Sequence, residues 1–296
     1  MAIDETILSR ADLPDIVATL MAWEGEASYP LGLHVGDVGW HARLPDDELD
    51  GTMRAFSRNG VWVAFGLFEP GLVRPRIAPG LAYDAEVARA VADAVQAMPQ
   101  PQVCTDADPG SAFRTWLSAA GWTLDPDPWT CLYKPLDSGD RDLGDSATKP
   151  PADADGVCDR VAVQRAAFTG STFTVEAWQR MATGPGFDPD LEMLSRDDVG
   201  RPVAGRDRLV GRGRKVRNPR TARHPPRPLG AGHGRRVLQA LLGALGRAGC
   251  SGVSVHTPAR NAAAVAVYTS SGMRAIENTQ TLIRPKRLSV SAARLE

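Results

Sequence analysis

The chain has 296 residues, 43% of them apolar and 23% charged, with a net charge of −1. That length suits two ordinary domains, and the near-neutral balance excludes a globally basic nucleic-acid binder or a membrane-surface protein. No apolar run approaches a bilayer span, and the N-terminal MAIDETILSRADLPD has no basic stretch or apolar core, so no secretory signal is read there and a cytoplasmic location is expected.

In chain order, residues 13–23 place Leu13, Ile16, Val17, Leu20 and Met21 at helical spacing. Asn59-Gly60 predicts a hairpin turn feeding a strand over residues 61–67. Residues 84–98 read as an amphipathic helix capped by Asp84, with Val87, Ala88, Val91, Ala94 and Val95 on one face. A strand start at Val103, a helix over 111–120 stopped by Gly121, and a strand over 129–134 complete the first half. Between 137 and 156 apolar residues nearly vanish, which predicts a linker and shows no strand opening the second half.

The second half predicts helices over 159–168 and over 174–181, the latter capped by Thr174 with Trp178 on its apolar face. Residues 232–248 give the strongest helix, with Val237, Leu238, Leu241, Leu242 and Leu245 as its buried stripe and Gly249 as its stop. Val253 and Val255 alternate in a strand, residues 262–271 are helical up to Gly272, and residues 275–283 suit a closing strand. The order helix, Gly-apolar or Gly-aromatic, strand occurs at 112–132 and again at 263–283, so two copies of one αβ fold are expected.

The even overall charge hides an asymmetry. Residues 205–231 carry nine basic residues against Asp207, a local charge of +8 that leaves −9 for the rest of the chain. Four prolines there (Pro219, Pro225, Pro226 and Pro228) oppose regular strand pairing, so 205–231 is expected to be irregular. The four cysteines, Cys104, Cys131, Cys158 and Cys250, form no CxxC and have no His at metal spacing, so unpaired thiols and no metal site are expected.

Two features carry chemistry. Gly230, Gly232, His233, Gly234 and Arg235 open the strongest helix; small residues let backbone N–H groups approach phosphate oxygens, and the helix adds its positive end. The pattern is neither GxxxxGK[ST] nor GxGxxG, and glycines at a helix start also serve as plain caps. Asn261 and Tyr268 begin and nearly end the next helix; alone, they read as an N-cap and a core tyrosine with its hydroxyl toward water.

Taken together, Gly232, Gly234, Asn261, Ala264, Tyr268 and Gly272-Met273 resemble the GNAT superfamily of acyl-CoA-dependent N-acetyltransferases. The resemblance implies an α/β (α+β) chain of two GNAT-like domains, each a twisted mixed sheet flanked by helices, over residues 1–136 and 157–296 with 137–156 between them. It implies acetyl-CoA as co-substrate, a small-molecule or protein amine as acceptor, and no metal. Gly230, Gly232, His233, Gly234 and Arg235 would bind the pyrophosphate, Asn261 would help hold the cofactor, and Tyr268 would protonate the leaving thiolate. In the first half, residues 72–81 stand at the loop without the glycine pattern and Leu117 stands where Tyr would be, so that half reads as a degenerate structural partner.

Two departures from the family pattern stand out. Leu229 replaces the Arg or Gln that opens the loop, and VRNPRTARHPPRP replaces the strand before it. Eighteen of the 27 residues from 205 to 231 are Arg, Pro, Gly or Ala, as a GC-rich gene reads out of frame. Shifted by one nucleotide, 217–228 can spell GILEPLGTHPDH, which suits the missing strand and loop entry. Two other functions stay open: a crippled homologue with a structural or acyl-CoA-binding role, and nucleic-acid association through the basic segment 206–227. Against the latter, no aromatic residue is interleaved with those arginines.

Overall fold

The computed structural model describes residues 2–23, 32–144, 148–149, 153–168, 170–206, 216–217 and 232–285. In the first half the elements are β1 (Asp4–Leu8), α1 (Leu13–Trp23), α2 (Val35–His41), α3 (Asp46–Leu49), β2 (Met53–Arg58), β3 (Val61–Glu69), β4 (Leu72–Ile77), α4 (Ala85–Gln96), β5 (Cys104–Thr105), α5 (Ala112–Ala119), β6 (Thr123–Leu124) and β7 (Trp129–Pro135). Asn59 (φ 52°) and Gly60 (φ 75°) both take left-handed backbone, which lets a two-residue turn match the twist of β2 and β3. The Asp84 carboxylate accepts from the amides of Glu86 and Val87, both at 3.0 Å, and so starts α4. Val87, Val91 and Val95, all fully buried, then hold α4 to one face of the sheet.

The second half repeats this order: β8 (Thr148–Lys149), α6 (Ala154–Ala167), α7 (Val175–Ala182), β9 (Met193–Arg196), β10 (Pro202–Arg206), β11 (Val216–Arg217), α8 (His233–Arg247), β12 (Gly252–Pro258), α9 (Ala262–Ser270), β13 (Arg274–Thr279) and β14 (Leu282–Ile283). The stretch read as a linker is built in. Asp137 caps a 3-10 turn over Ser138–Asp142, Thr148–Lys149 pairs with β9, and Asp153 caps α6, so that helix starts earlier than its apolar spacing predicts. Of the segment expected to be irregular, Gly205 and Arg206 end β10 and β11 pairs in parallel with β12; its other residues lie outside the described ones.

The closing strand predicted over 275–283 divides, and its two parts go to different sheets. The first sheet runs β1-β2-β3-β4-β5-β14-β6. In the second half the order is β8-β9-β10 and, separately, β11-β12-β7-β13. The halves therefore exchange their last strands: β7 lies between β12 and β13, and β14 lies between β5 and β6. Leu132 of β7 is buried in the second half's core and Leu282 of β14 in the first half's.

One buried charge pair ties the second half together. Arg160 on α6 and Glu192, just before β9, meet at 2.6 Å with each side chain 1% exposed. Removing one partner strands the other charge away from water, whereas replacing both by apolar groups removes the desolvation cost as well. Glu192→Ala is expected to lower unfolding free energy by ~3–5 kcal/mol, and Arg160→Met with Glu192→Leu to restore most of it. Urea titration of the three proteins checks this; equal losses in the single and double variants would remove the pair from the account.

Candidate functional site

The two halves treat the same structural position in opposite ways. In each half the fourth and fifth strands pair in parallel over two described residues: Leu72 with Cys104 and Val73 with Thr105 in the first half, where they then part, and Val216 with Val253 and Arg217 with Ser254 in the second. The next helix in the chain is α4 in one half and α8 in the other.

In the first half both places are filled from within. Residues 72–77, read from sequence as part of a loop, form β4. Pro75 pairs with Gly66 of β3, and its carbonyl, on the side where β5 has parted, accepts from the Leu33 amide at 3.2 Å. Gly32 (φ 97°) lies so close that a Cβ there would stand 2.0 Å from the Pro75 oxygen. At the start of α4, Asp84 occupies the helix amides itself, and Arg58 binds it through two 2.9 Å contacts. Those contacts, with the backbone amides, hold the Asp84 carboxyl down at about 2. This helix end is already neutralised, so a phosphate gains nothing there.

The start of α8 differs. Gly232 is its N-cap with φ 73°, no side chain among the described residues caps the amides, and no acid lies in the first turn. The exposed Arg235 stands there instead, at the positive end of the helix dipole, where a cation is unfavourable unless an anion joins it. Nδ1 of His233 is shut from solvent and has no hydrogen-bond partner among the described residues. A glycine-led N-terminus, a local cation and this imidazole nitrogen together fit a phosphate-bearing ligand.

Of the residues singled out in the sequence, Gly232, His233, Gly234 and Arg235 lie together at this helix start, while Gly230 is outside the described residues. Asn261 caps α9, accepting from the Ala264 amide at 3.2 Å. Tyr268 is 2% exposed and packs with Val237, Leu241 and Val255 in the second half's core. Except for Arg206, Val216 and Arg217, the basic segment 206–227 lies outside the described residues. Among the described residues no cluster of three or more His, Cys, Asp or Glu suits a metal ion, and no helix is long and apolar enough to cross a membrane.

The sequence reading missed a charged cluster at the first half's parting. His41 of α2 places Nδ1 2.8 Å from the Asp37 carbonyl and Nε2 3.0 Å from Glu69 Oε1. Arg74 of β4 binds Glu69 Oε2 at 2.9 Å and reaches Asp106 Oδ2 at 3.8 Å. Its members come from α2, β3, β4 and the segment after β5, and no single motif spans them. Burial pushes the Asp106 carboxyl up to about 6, against the pull of Arg74 and with Asp37 and Asp108 adding to the rise.

Because the native value lies above the unfolded 3.8, the native chain holds the extra proton. The associated stability is complete below the unfolded value and is lost as pH rises through about 6. Asp106→Asn is therefore expected to flatten the fall in stability between those two pH values and to leave the chain at least as stable at neutral pH. Thermal unfolding at a series of pH values checks this, and an unchanged slope would place the titration elsewhere.

No protein-family model and no curated protein matches the chain. Solved structures do. A GCN5-related N-acetyltransferase from Sphaerobacter thermophilus aligns at 17% identity and TM-score 0.56, over 95% of each chain. A tandem GNAT protein from the clavulanic acid biosynthesis pathway aligns at 13% identity and TM-score 0.58, over 97% of this chain and 99% of that one. A GNAT-family acetyltransferase from Colwellia psychrerythraea aligns at 14% identity and TM-score 0.56, over 96% and 99%. At these identities the likeness establishes architecture: the chain has the fold of the GNAT acetyltransferases, present as two GNAT-like domains that exchange their last strands.

Proposed function

We propose that the chain is an acetyl-CoA-dependent N-acetyltransferase whose working site is in the second domain, residues 157–296, with the first domain, 1–136, as its structural partner. The observation that carries this reading is the start of α8: uncapped, glycine-led and cationic, where α4 is sealed by Asp84 and Arg58. The backbone from Gly232 to Arg235 would take the pyrophosphate, and Asn261 would stand at the adjoining helix start. Acetyl-CoA would supply a thioester: the acceptor amine nitrogen forms the new N–C bond, the C–S bond breaks, the thiolate takes a proton from the Tyr268 hydroxyl, and the proton that the nitrogen loses passes to solvent, from which the tyrosinate is reprotonated. Packing in the apolar core fixes the Tyr268 ring, so the hydroxyl needs little reorganisation to act.

Charge at the start of α8 gives a test with opposite signs. Arg235→Glu adds a favourable charge to the positive helix end, so the free chain is expected to become slightly more stable. The same change is expected to weaken acetyl-CoA binding by about tenfold, because a cation beside the phosphates is lost. Thermal unfolding and isothermal titration with acetyl-CoA read the two effects; an unchanged affinity would sink the anion site.

Catalysis is tested at the tyrosine. Tyr268→Phe is expected to lower kcat on a responsive amine by ~10²–10⁴-fold while leaving acetyl-CoA affinity in place, since the hydroxyl is used only as the thiolate departs. An unchanged kcat would remove Tyr268 from the chemistry.

The basic, proline-rich sequence of 205–231, which departs from the family's strand and loop entry, supports a second reading, a crippled homologue with a structural or acyl-CoA-binding role. We attribute that sequence to an out-of-frame stretch. Restoring the frame there should raise both acetyl-CoA affinity and turnover; equal binding by the two chains would leave the frame reading without functional content.

A further inference from the structure

α2 stands between two sets of contacts. On its inner side, Asp37 and His41 are one helical turn apart and both are buried. They belong to the face of the first sheet that carries α1 and α2, where Arg74 pairs with Leu67 and Arg76 with Phe65, both core residues of that face. On its outer side α2 meets the second domain. Trp40 stacks on Phe173 at 5.3 Å, and Arg180 Nε donates to the Arg43 carbonyl at 2.8 Å. A Cβ on Gly184 would stand 2.7 Å from that of Ala42, the C-cap of α2. Phe173, Arg180 and Gly184 belong to α7 and its two flanks. One short helix therefore carries a charge cluster on one side and the domain seam on the other.

Carboxylates outnumber the cations that serve them in this cluster. Glu69 bridges Arg74, at 2.9 Å, to His41 of α2, at 3.0 Å. Asp37 holds His34 Nε2 at 3.3 Å, and Asp106 reaches Arg74 at 3.8 Å. The groups that act on the Asp106 carboxyl are Arg74 from β4, Asp37 from α2 and Asp108 from its own segment; Cys104 at β5 feels its charge in turn. Arg76, two residues along β4 from Arg74, is buried on the same face. An ionised Asp106 competes with Glu69 for Arg74 and repels Asp37. A protonated Asp106 does neither, and Arg74 is left to the two carboxylates that tie α2 down.

We propose that α2 is a pH-sensitive latch between the domains: ionisation of Asp106 loosens α2 from the first sheet, and the Trp40–Phe173 stack and the Arg180–Arg43 contact pass the loosening to α7. The latch requires no acyl-CoA, so it stands apart from the reading of the α8 site. Its sign follows from the proton. The Asp106 carboxyl holds a proton up to about 6 in the native chain against 3.8 when freed, so α2 is held most firmly at acid pH and less firmly as pH rises through about 6.

Hydrogen–deuterium exchange of the full chain at about pH 5 and about pH 7, corrected for the intrinsic pH dependence of exchange, reads the opening of α2 and of α7. Opening that frees Asp106 to its ordinary value makes α2 about tenfold less protected at the higher pH, and α7 follows in the same direction by a smaller factor. Asp106→Asn is expected to abolish the response in both helices. Phe173→Leu combined with Arg180→Gln is expected to keep it in α2 and remove it from α7. A response that survives Asp106→Asn belongs to His34 or His41 and overturns the proposal. So does an α7 response that survives the seam variant, which reports opening of the whole chain rather than transmission, and so does an α7 that never responds. If Asp106→Asn does not fold, Asp106→Ser replaces it under the same criteria. If the seam variant does not fold, Arg180→Gln alone is read for a weakened α7 response, and an undiminished one overturns the latch.

Discussion

The rest of the molecule depends on the exchange of β7 and β14. Without β14, β6 has no partner in the first sheet and β5 keeps only its two-residue pairing with β4. Without β7, β12 and β13 are no longer joined. The exchange is fastened at one end by Arg284, 6% exposed, which follows β14 into the first domain. Its guanidinium donates to the carbonyls of Gln96 at 3.1 Å and Met98 at 2.9 Å, and to that of Gln100. These carbonyls are the last of α4 and the turn after it, where a cation meets the negative end of the helix dipole. A second seam joins the equivalent helices α2 and α7: Trp40 stacks on Phe173 at 5.3 Å, and Arg180 Nε donates to the Arg43 carbonyl at 2.8 Å.

On this shared frame the domains have diverged at one electrostatic position. An aspartate at a helix start satisfies the amides and stabilises the helix, but it removes the affinity for any other anion. A glycine leaves the amides open at a cost in helix stability. The first domain holds the first solution and also covers the exposed edge of β4 with Gly32 and Leu33; the second holds the other. Asymmetry of this kind lets one copy of a duplicated fold serve as scaffold while the other keeps a ligand site.

Much of this was legible in the sequence where a local signal existed. Asp84, Ser111 and Thr174 each cap the helix they announce, and Asn59-Gly60 makes the predicted turn. The repeated order of elements announced two copies of one fold. What the sequence hid was non-local or very short. β5, β6, β8 and β14 are two residues each, too short for alternation to appear. Residues 72–77 read as part of a loop because 72–81 stand at the family's loop position; they form β4 despite Pro75, whose missing N–H falls on the side where β5 has already parted. Of the site, the helix start at Gly232 was readable from its glycines.

The place of Leu282 and Ile283 in the first sheet has a consequence for how the chain is made. Their partners at Cys104 and Thr105 lie more than half the chain away, so the N-terminal domain cannot close its sheet until the C-terminal strand has left the ribosome. Throughout synthesis the facing edges of β5 and β6 stand open, with Trp122 and Leu117 beneath them lacking the cover of Leu282. Long-range closure of this kind is slow. The nascent protein is therefore most exposed to aggregation, and most in need of chaperones, in the interval between completing its first domain and receiving the strand that seals it.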